Sequence, residues 1–386
     1  MITLPYLFLA LLPLSGRAPT DTVRANIIAV IGENSPRTPF LLGEVSGLAI
    51  DAVGRVYVSD FQDPRIVVFA PDGRKLTIIG RKGKGPGEFT APTGPVFGAD
   101  GALYIRDLEK VSRFSADPKS GLPTRFDRFF EGPPMAPWRS KLASSIDNAG
   151  RFHFPLEVGL RDGITHYSYQ RYALDGRKLD SIAVPVQLTA RSNWASVPIA
   201  PGTGRMVKGV NVVPFHPMPV WAVGSTGNII AGPGDRYTLS ETNAIGQAVR
   251  QFGRNIALDR IPQAERAEST RALKRRIDSL PVPLAQVNGV SEEVRAMRLP
   301  ETYPSYRSAS VAANGELWIR RSSTASARKS SFFDLFGAAG VYLRTVVVPV
   351  DCSIAPAPVI RGSSFACLAI DEESGAETVV LATTGG

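Results

Sequence analysis

Histidine and cysteine are scarce in this chain. Among 386 residues there are three histidines, His153, His166 and His216, and two cysteines, Cys352 and Cys367. Structural zinc sites are built from clustered Cys and His, and this small number argues against one. His153 sits inside the strand-like "RFHF", which suits a structural side chain better than a ligand, and His166 in "GITHYSYQ" reads as strand or loop. No Gly-x-Ser-x-Gly elbow is present, which removes the commonest strand-turn-helix serine nucleophile. No converging set of oxygen ligands beyond Asp60 and Asp107 suggests calcium. The expectation is a protein without a cofactor, leaning away from catalysis.

Long apolar runs are also missing. The longest, Leu4–Leu14 in "MITLPYLFLALLPLSGRAPTD", is too short to span a bilayer. Gly16 and Ala18 supply small residues for a cut after Ala18, so residues 1–18 read as a secretory signal peptide, although no Lys or Arg precedes the apolar run. A retained membrane-associated segment is the alternative. Export to the periplasm or beyond implies an oxidising compartment, where Cys352 and Cys367 could bridge; their spacing suits neighbouring strands of one sheet, and two buried thiols are the other reading. The net charge is +9, with no block of five or six Lys/Arg. A charge so thinly spread serves solubility before it marks a nucleic-acid surface.

What the chain has in quantity is turn residues, 36 Gly and 31 Pro, beside a 44% hydrophobic content. Such a composition favours a turn-dense all-β fold with a large core. One pattern recurs: apolar residues, a Gly turn, then alternating apolar residues. It appears as "GLAIDAVGRVYVSD" (Gly54), "PVFGADGALYIRD" (Gly101), "SSIDNAGRFHFP" (Gly150), "VWAVGSTGNIIAG" (Gly227) and "ASVAANGELWIRR" (Gly315). Asp-x-x-Gly, Asp-Gly and Asn-Gly tolerate the positive φ of tight hairpin turns, and the flanks alternate with the period of a strand. A second hairpin follows most copies, turning at Asp72-Gly73, within Asp117–Gly121, at Asp175-Gly176, and near Gly246 and Gly340. Gly54 and Gly101 are 47 residues apart, and Gly150 follows 49 later. A four-stranded unit of about 40–50 residues is the period of a propeller blade. A sixth unit, "PVIRGSSFACLAIDEESGAETVVLATT", supplies three strands. The spare strand Ile27–Ile31 completes it and closes the ring. The expected fold is an all-β, six-bladed propeller of four-stranded antiparallel blades over residues 19–386, with residues 259–304 as a helical insertion between blades 4 and 5.

The stretch "SGLAIDAVGRVYVSDFQDPRIVVFAPDGRKLTIIGRKGKGPGEFTAP" resembles an NHL-type repeat in its Asp-x-x-Gly turn, "YVSD" strand end, "RIVVF", Asp-Gly turn and Gly-rich close. "LPETYPSYRSASVAANGELWIRR" is similar to the entry of a late blade in bacterial six-bladed propellers. The resemblance implies six blades. Some NHL-like propellers are zinc lyases that hold the metal on inner-strand histidines; the matching positions here carry none. Others bind single-stranded RNA on a basic face, but this chain lacks the clustered aromatic and basic residues for it.

The Gly-rich "RKGKGPGEF" (Arg81–Phe89) has the wrong order for a phosphate loop and precedes a strand pattern, not a helix. It reads as the connection between two blades. Residues 185–218 read as a long loop. From Asp259 to Pro304, Ala264, Ala267, Leu273, Ile277 and Leu280 recur near helical spacing between Pro262 and Pro281, with Arg271, Lys274, Arg275 and Arg276 on the polar side. Candidate ligand-binding residues lie after the second strand of the blades: Asp60 with Gln62, Arg106 and Asp107, Asp235 and Arg236, Arg320 and Arg321. The long connections add Trp138, Arg139, Trp194 and His216. The expected function is an exported monomeric module that binds protein, peptide or glycan through loops on one face. A lyase or hydrolase at the central channel is the alternative, and an RNA-binding propeller is the next.

Overall fold

The structure, a computed structural model, describes residues 22–133, 145–161, 164–185, 188–189, 195–198, 206–209, 214–278, 299–322, 324, 329–371 and 374–385. Six antiparallel sheets follow one another along the chain, each running from an inner to an outer strand. Blade 1 comprises Val45–Ile50, Val56–Asp60, Arg65–Phe69 and Lys75–Ile79; blade 2 comprises Pro92–Phe97, Leu103–Asp107, Lys110–Ser115 and Arg125–Glu131. Blade 3 is Ser145–Ile146, Arg151–Arg161, Ile164–Ala173 and Lys178–Ala183, and blade 4 is Val220–Val223, Ile229–Gly232, Thr238–Thr242 and Ala248–Gly253. Blade 5 is Tyr306–Val311, Leu317–Arg321, Ser331–Phe336 and Tyr342–Val348. Blade 6 takes Val359–Arg361, Ser364–Ile370 and Glu377–Thr383 from the end of the chain and Asn26–Ile31 from its beginning.

The turns explain the hairpins. Gly54, Gly101, Gly150, Gly227 and Gly315 all adopt φ between 71° and 84°, and in each the glycine N–H donates to the carbonyl three residues back. A side chain there would meet the left-handed penalty. The ring closes where Ile31 pairs with Val379 and Asn26 with Thr383. Immediately before, Thr22–Arg24 runs parallel to the outer strand of blade 5, Thr22 opposite Thr345. Three residues without a pattern give no sign of this fifth strand in the sequence.

Each blade interface has its own apolar core. Ile31, Val45 and Leu381 pack between blades 6 and 1, Tyr57 and Leu103 between 1 and 2, and Tyr104 and Phe152 between 2 and 3. Tyr169 and Ile229 join blades 3 and 4, Leu239 and Leu317 join 4 and 5, and Trp318 and Phe365 join 5 and 6. Aromatic pairs cross five of these seams: Tyr57–Phe97 at 5.0 Å, Tyr104–Phe152 at 5.1 Å, Tyr167–Trp221 at 4.9 Å, Phe252–Phe336 at 5.5 Å and Trp318–Phe365 at 6.0 Å. A blade cannot cover both its faces alone, so the ring is the smallest arrangement that hides all of them.

Blade 3 departs from the others. Its second and third strands continue as a long hairpin, Arg151–Arg161 against Ile164–Ala173, and Leu188–Thr189 pairs onto it. In the segment expected to be a long loop, Ala195–Pro198 pairs with Met206–Gly209.

Candidate functional site

Strand alternation sorts every connection onto one of two faces. Turns joining first to second strands, and third to fourth, lie on one face. In blades 1 to 5 these are short; the longest is residues 116–124. Connections between blades, and between second and third strands, leave the opposite face. They include residues 32–44, 80–91, 132–144, 184–219, 254–305, 322–330 and 349–358. All the insertions of the chain therefore depart from one side of the disc, the insertion face.

The first strands of all six blades line a central cavity of about 370 Å³. Its wall is mostly backbone and small side chains, among them Gly47, Ala49, Gly94, Ala313 and Ala357. Among the described residues two charged ones line it, Asp147 and Arg361. The Asp147 carboxylate is already committed: it accepts from Ala149 N (3.0 Å), Arg151 N (2.9 Å) and Arg151 Nε (2.7 Å), and lies 3.0 Å from His153 Nε2. Burial opposes its ionisation, but hydrogen bonds from His153 and Arg151 hold its carboxyl below the usual range.

His153 belongs to a repeated device. In blade 1, Tyr57 donates to turn residue Asp51 (3.1 Å), and in blade 2 Tyr104 donates to Asp100 (3.2 Å). His153 holds the same place after its turn glycine, fully buried, and ties its strand to its own turn. His166 is half-buried in a strand. Among the described residues no group of three or more His, Cys, Asp or Glu is placed to hold a metal ion.

Of the strand-end charges expected to bind a ligand, Asp60, Arg106, Asp107 and Arg320 are buried and hydrogen-bonded within the fold. Asp60 is fully buried and accepts from Gly43 N, Glu44 N and Asp63 N, each at 3.2 Å, and from Arg65 Nη2 at 3.3 Å. Asp107 repeats this in blade 2, accepting from Thr90 N (3.0 Å) and Ala91 N (2.5 Å). Both carboxylates pin the incoming connection to the end of the second strand. Arg106 is buried, donates to Leu108 O (3.1 Å) and Pro133 O (2.7 Å), and lies 4.8 Å over the Phe154 ring of blade 3. Arg320, its counterpart in blade 5, is buried against Asp351. Burial pulls both guanidinium groups below the usual arginine value. The physical reason is one of position: the second strand ends beneath the incoming connection, so its last residues are covered.

Other candidates divide differently. Asp235 and Arg236 are exposed and 3.9 Å apart, and Gln62 is exposed. Arg321 is half-buried at the strand end. His216 is half-buried, with Nδ1 2.8 Å from Pro217 O. Trp138, Arg139 and Trp194 lie outside the described residues, as does the segment 1–18.

The loop "RKGKGPGEF" is filled by its own acid. Glu88 accepts from Gly85 N (2.9 Å) and Arg81 Nε (2.9 Å). A Cβ on Gly83 would lie 2.1 Å from the Glu88 carboxylate. Those glycines therefore admit a side-chain anion, and the Gly85 N–H, then Arg81, keep Glu88 below the usual carboxylate range.

Over the insertion face, the helix Gln263–Asp278 is anchored by Arg266, which donates to Leu299 O (3.0 Å), and by Glu265, which accepts from Tyr303 (2.5 Å). Of its expected apolar stripe, Leu273 is buried, while Ala264 and Ala267 are exposed; Leu280 lies outside the described residues. The helix is polar on most sides. Arg271 and Arg275 are exposed and share Glu268.

Two features escape sequence reasoning. Asp334 in blade 5 is fully buried, accepts from Tyr237 (2.7 Å) and Thr345 (2.7 Å), and pairs with Arg254 at 2.7 Å. Arg254 also lies 3.9 Å over the Tyr342 ring. An Asp within "SFFDLF" is the available signal, a charge where the strand pattern requires a buried side chain. The second is the geometry of the disulfide: Cys352 and Cys367 are bonded, with Cα atoms 5.6 Å apart. Cys352 lies in the connection before blade 6 and forms an isolated β-bridge with Ala369, which belongs to the strand of Cys367, so the two are neighbours but not on two full strands.

Fold and seams together define a six-bladed β-propeller with one elaborated face. A family model described as a 6-bladed beta-propeller matches residues 37–125. No curated protein matches the chain. Solved structures similar to it include virginiamycin B lyase from Staphylococcus aureus, with 12% identity, 92% of this chain and 98% of that one covered, and a TM-score of 0.39. A member of the duf4221 family from Bacteroides vulgatus is similar over 92% of this chain and 95% of its own, with 8% identity and a TM-score of 0.45. Regucalcin, a calcium-binding protein from Agrobacterium tumefaciens, is similar over 96% and 97%, with 12% identity and a TM-score of 0.37.

Proposed function

We propose that this propeller is an exported binding module that engages a protein, peptide or glycan through its insertion face. The observation that carries this reading is the segregation of the insertions. The turns on one face reach at most nine residues, while every longer connection departs from the other. Loops that a rigid scaffold gathers on one side are where binding residues concentrate. The cavity supports binding over turnover, because Asp147 in its wall is held by Arg151 and His153 and no acid–base pair faces the space among the described residues. The disulfide fits an oxidising compartment. Among the described residues no helix is long and apolar enough to cross a membrane.

The test pairs peptide and glycan arrays with recovery of the bound compound. Retention at micromolar affinity with the ligand recovered unchanged is the expected result. Cleavage or elimination products would replace the module with an enzyme. N-terminal sequencing of the periplasmic fraction should read from Pro19; a blocked or cytoplasmic Met1 form would remove export from the proposal.

A further inference from the structure

The first strand of every blade ends on the tight-turn face, and in blades 1 to 5 the turn that follows is one device. Its first residue, Asp51, Gly98, Asp147, Gly224 or Ala312, accepts a hydrogen bond from the turn glycine three residues on. In three blades that residue is small. In the other two it is an acid neutralised by the arginine four residues further, with Arg55 Nε 2.5 Å from Asp51 and Arg151 Nε 2.7 Å from Asp147. Blade 6 breaks the rule. It turns in two residues, Gly362 and Ser363, and its first strand ends in a cation, Arg361, paired in register with Ser364.

Arg361 lines the central cavity and is half-buried. Among the described residues its side chain has no hydrogen-bond or ion-pair partner. Arg106, Arg171 and Arg320, which the fold also covers, each have an acceptor. A charge drawn out of water calls for an opposite charge beside it, and the chain supplies none here. The cavity lies toward the same face. Blades 4 and 5 give it only the last residues of their first strands, Val223 and Val311, and the turn residues after them. At the other end blades 1 and 2 close up: Ser46 Oγ donates to Pro92 O at 2.6 Å, and a Cβ on Gly47 would lie 2.5 Å from Gly94 N.

We propose that the tight-turn mouth of the central cavity is a second binding site, apart from the insertion face, for a small organic monocarboxylate held by Arg361. A guanidinium presents paired N–H groups that match the two oxygens of a carboxylate. The first strand is an edge strand in all six blades, so its unpaired backbone groups face the cavity and can bind the polar remainder of the ligand. The wall around them is small and apolar, and 370 Å³ equals the liquid volume of about a dozen waters, room for one small molecule. A single free cation selects one negative charge: Asp147 is already neutralised, and its carboxylate disfavours a dianion.

Titration of the full chain with 4-fluorobenzoate, read by the fluorine NMR line, tests this, with 4-fluorobenzamide as the uncharged twin and inorganic phosphate as a competitor. The acid should bind about tenfold or more tightly than the amide, the worth of a hydrogen bond to a charged group. Arg361→Gln should remove that advantage, and Arg361→Lys should keep part of it. Arg74→Gln deletes the same charge from an exposed turn of the same face and should leave binding unchanged. Ala313→Trp, at the mouth, should weaken binding with every charge in place, and it carries the test if Arg361→Gln loses the native circular dichroism. Equal affinity for acid and amide overturns the proposal, as does an equal loss in Arg74→Gln and Arg361→Gln. Phosphate that displaces the probe more effectively than unlabelled benzoate overturns it too, because the site would then select a dianion.

Discussion

Asp334 is the residue on which the seam between blades 4 and 5 turns. A buried carboxylate is tolerated only when paired and hydrogen-bonded, and Tyr237, Thr345 and Arg254 together supply that. Arg254→Ala would leave the charge uncompensated and should cost about 3–5 kcal/mol, read as a lower denaturant midpoint at unchanged slope. Asp334→Asn in the same background should restore part of the loss, since the unpaired charge is then gone. Tyrosines give a second prediction. Burial, reinforced by Asp334, pushes the Tyr237 hydroxyl well above its ordinary value; burial does the same for Tyr57, Tyr169 and Tyr306. Each keeps its proton in the folded protein after the unfolded chain, titrating near 10, has lost it. Their contribution is complete below about pH 10 and falls as pH rises through that value. Absorbance at 295 nm should show tyrosinate appearing late and together with loss of circular dichroism. Gradual tyrosinate formation in a still-folded protein would contradict the burial of these hydroxyls.

Individual strands differ in what they are worth. Asn26–Ile31 completes blade 6, so a chain beginning at residue 33 should fail to melt cooperatively, whereas one beginning at Ala25 loses only the added strand on blade 5 and should still fold. Scanning calorimetry of the two truncations separates them. The disulfide closes a short loop, for which chain entropy predicts about 3 kcal/mol; Cys352→Ser/Cys367→Ser should lower the melting temperature accordingly without changing the blade count. At this scale much is legible in the order of amino acids alone. Gly54, Gly101, Gly150, Gly227 and Gly315 mark turns because few other residues adopt their φ, and the spare strand at Ile27–Ile31 stands out because it has no neighbour in sequence to pair with. Blade 3 is harder, as Pro155 and Gly159 interrupt the alternation inside a strand that in fact runs to Arg161. Asp60, Arg106, Asp107 and Arg320 look ligand-facing in the sequence because a charged strand end resembles a loop in one dimension. Only the neighbouring connection folded over it shows that it is covered. The Asp334 cluster draws on residues from Tyr237 to Thr345, a separation that local pattern cannot join.

The whole molecule is a disc with two unlike sides. One side is a set of short turns, charged on blades 1 to 3 and apolar on blades 4 and 5. The other receives the insertions, the polar helix Gln263–Asp278 and the exposed cations Arg81, Arg271 and Arg275. Six separate seams hold the ring, so either face can vary without disturbing the cores. That separation of scaffold from surface is why repeats reveal the fold and leave the partner unnamed: repetition encodes the seams, and the insertions follow no pattern. The most direct test of the assigned face is a comparison of ligand affinity, for any peptide or glycan the arrays retain, between two charge-reversed variants. Arg271→Glu/Arg275→Glu alters the insertion face, and Arg74→Glu/Arg177→Glu alters the tight-turn face. The account predicts at least about a tenfold loss of affinity, about 1.4 kcal/mol, from the first and no change from the second; the opposite pattern would contradict it.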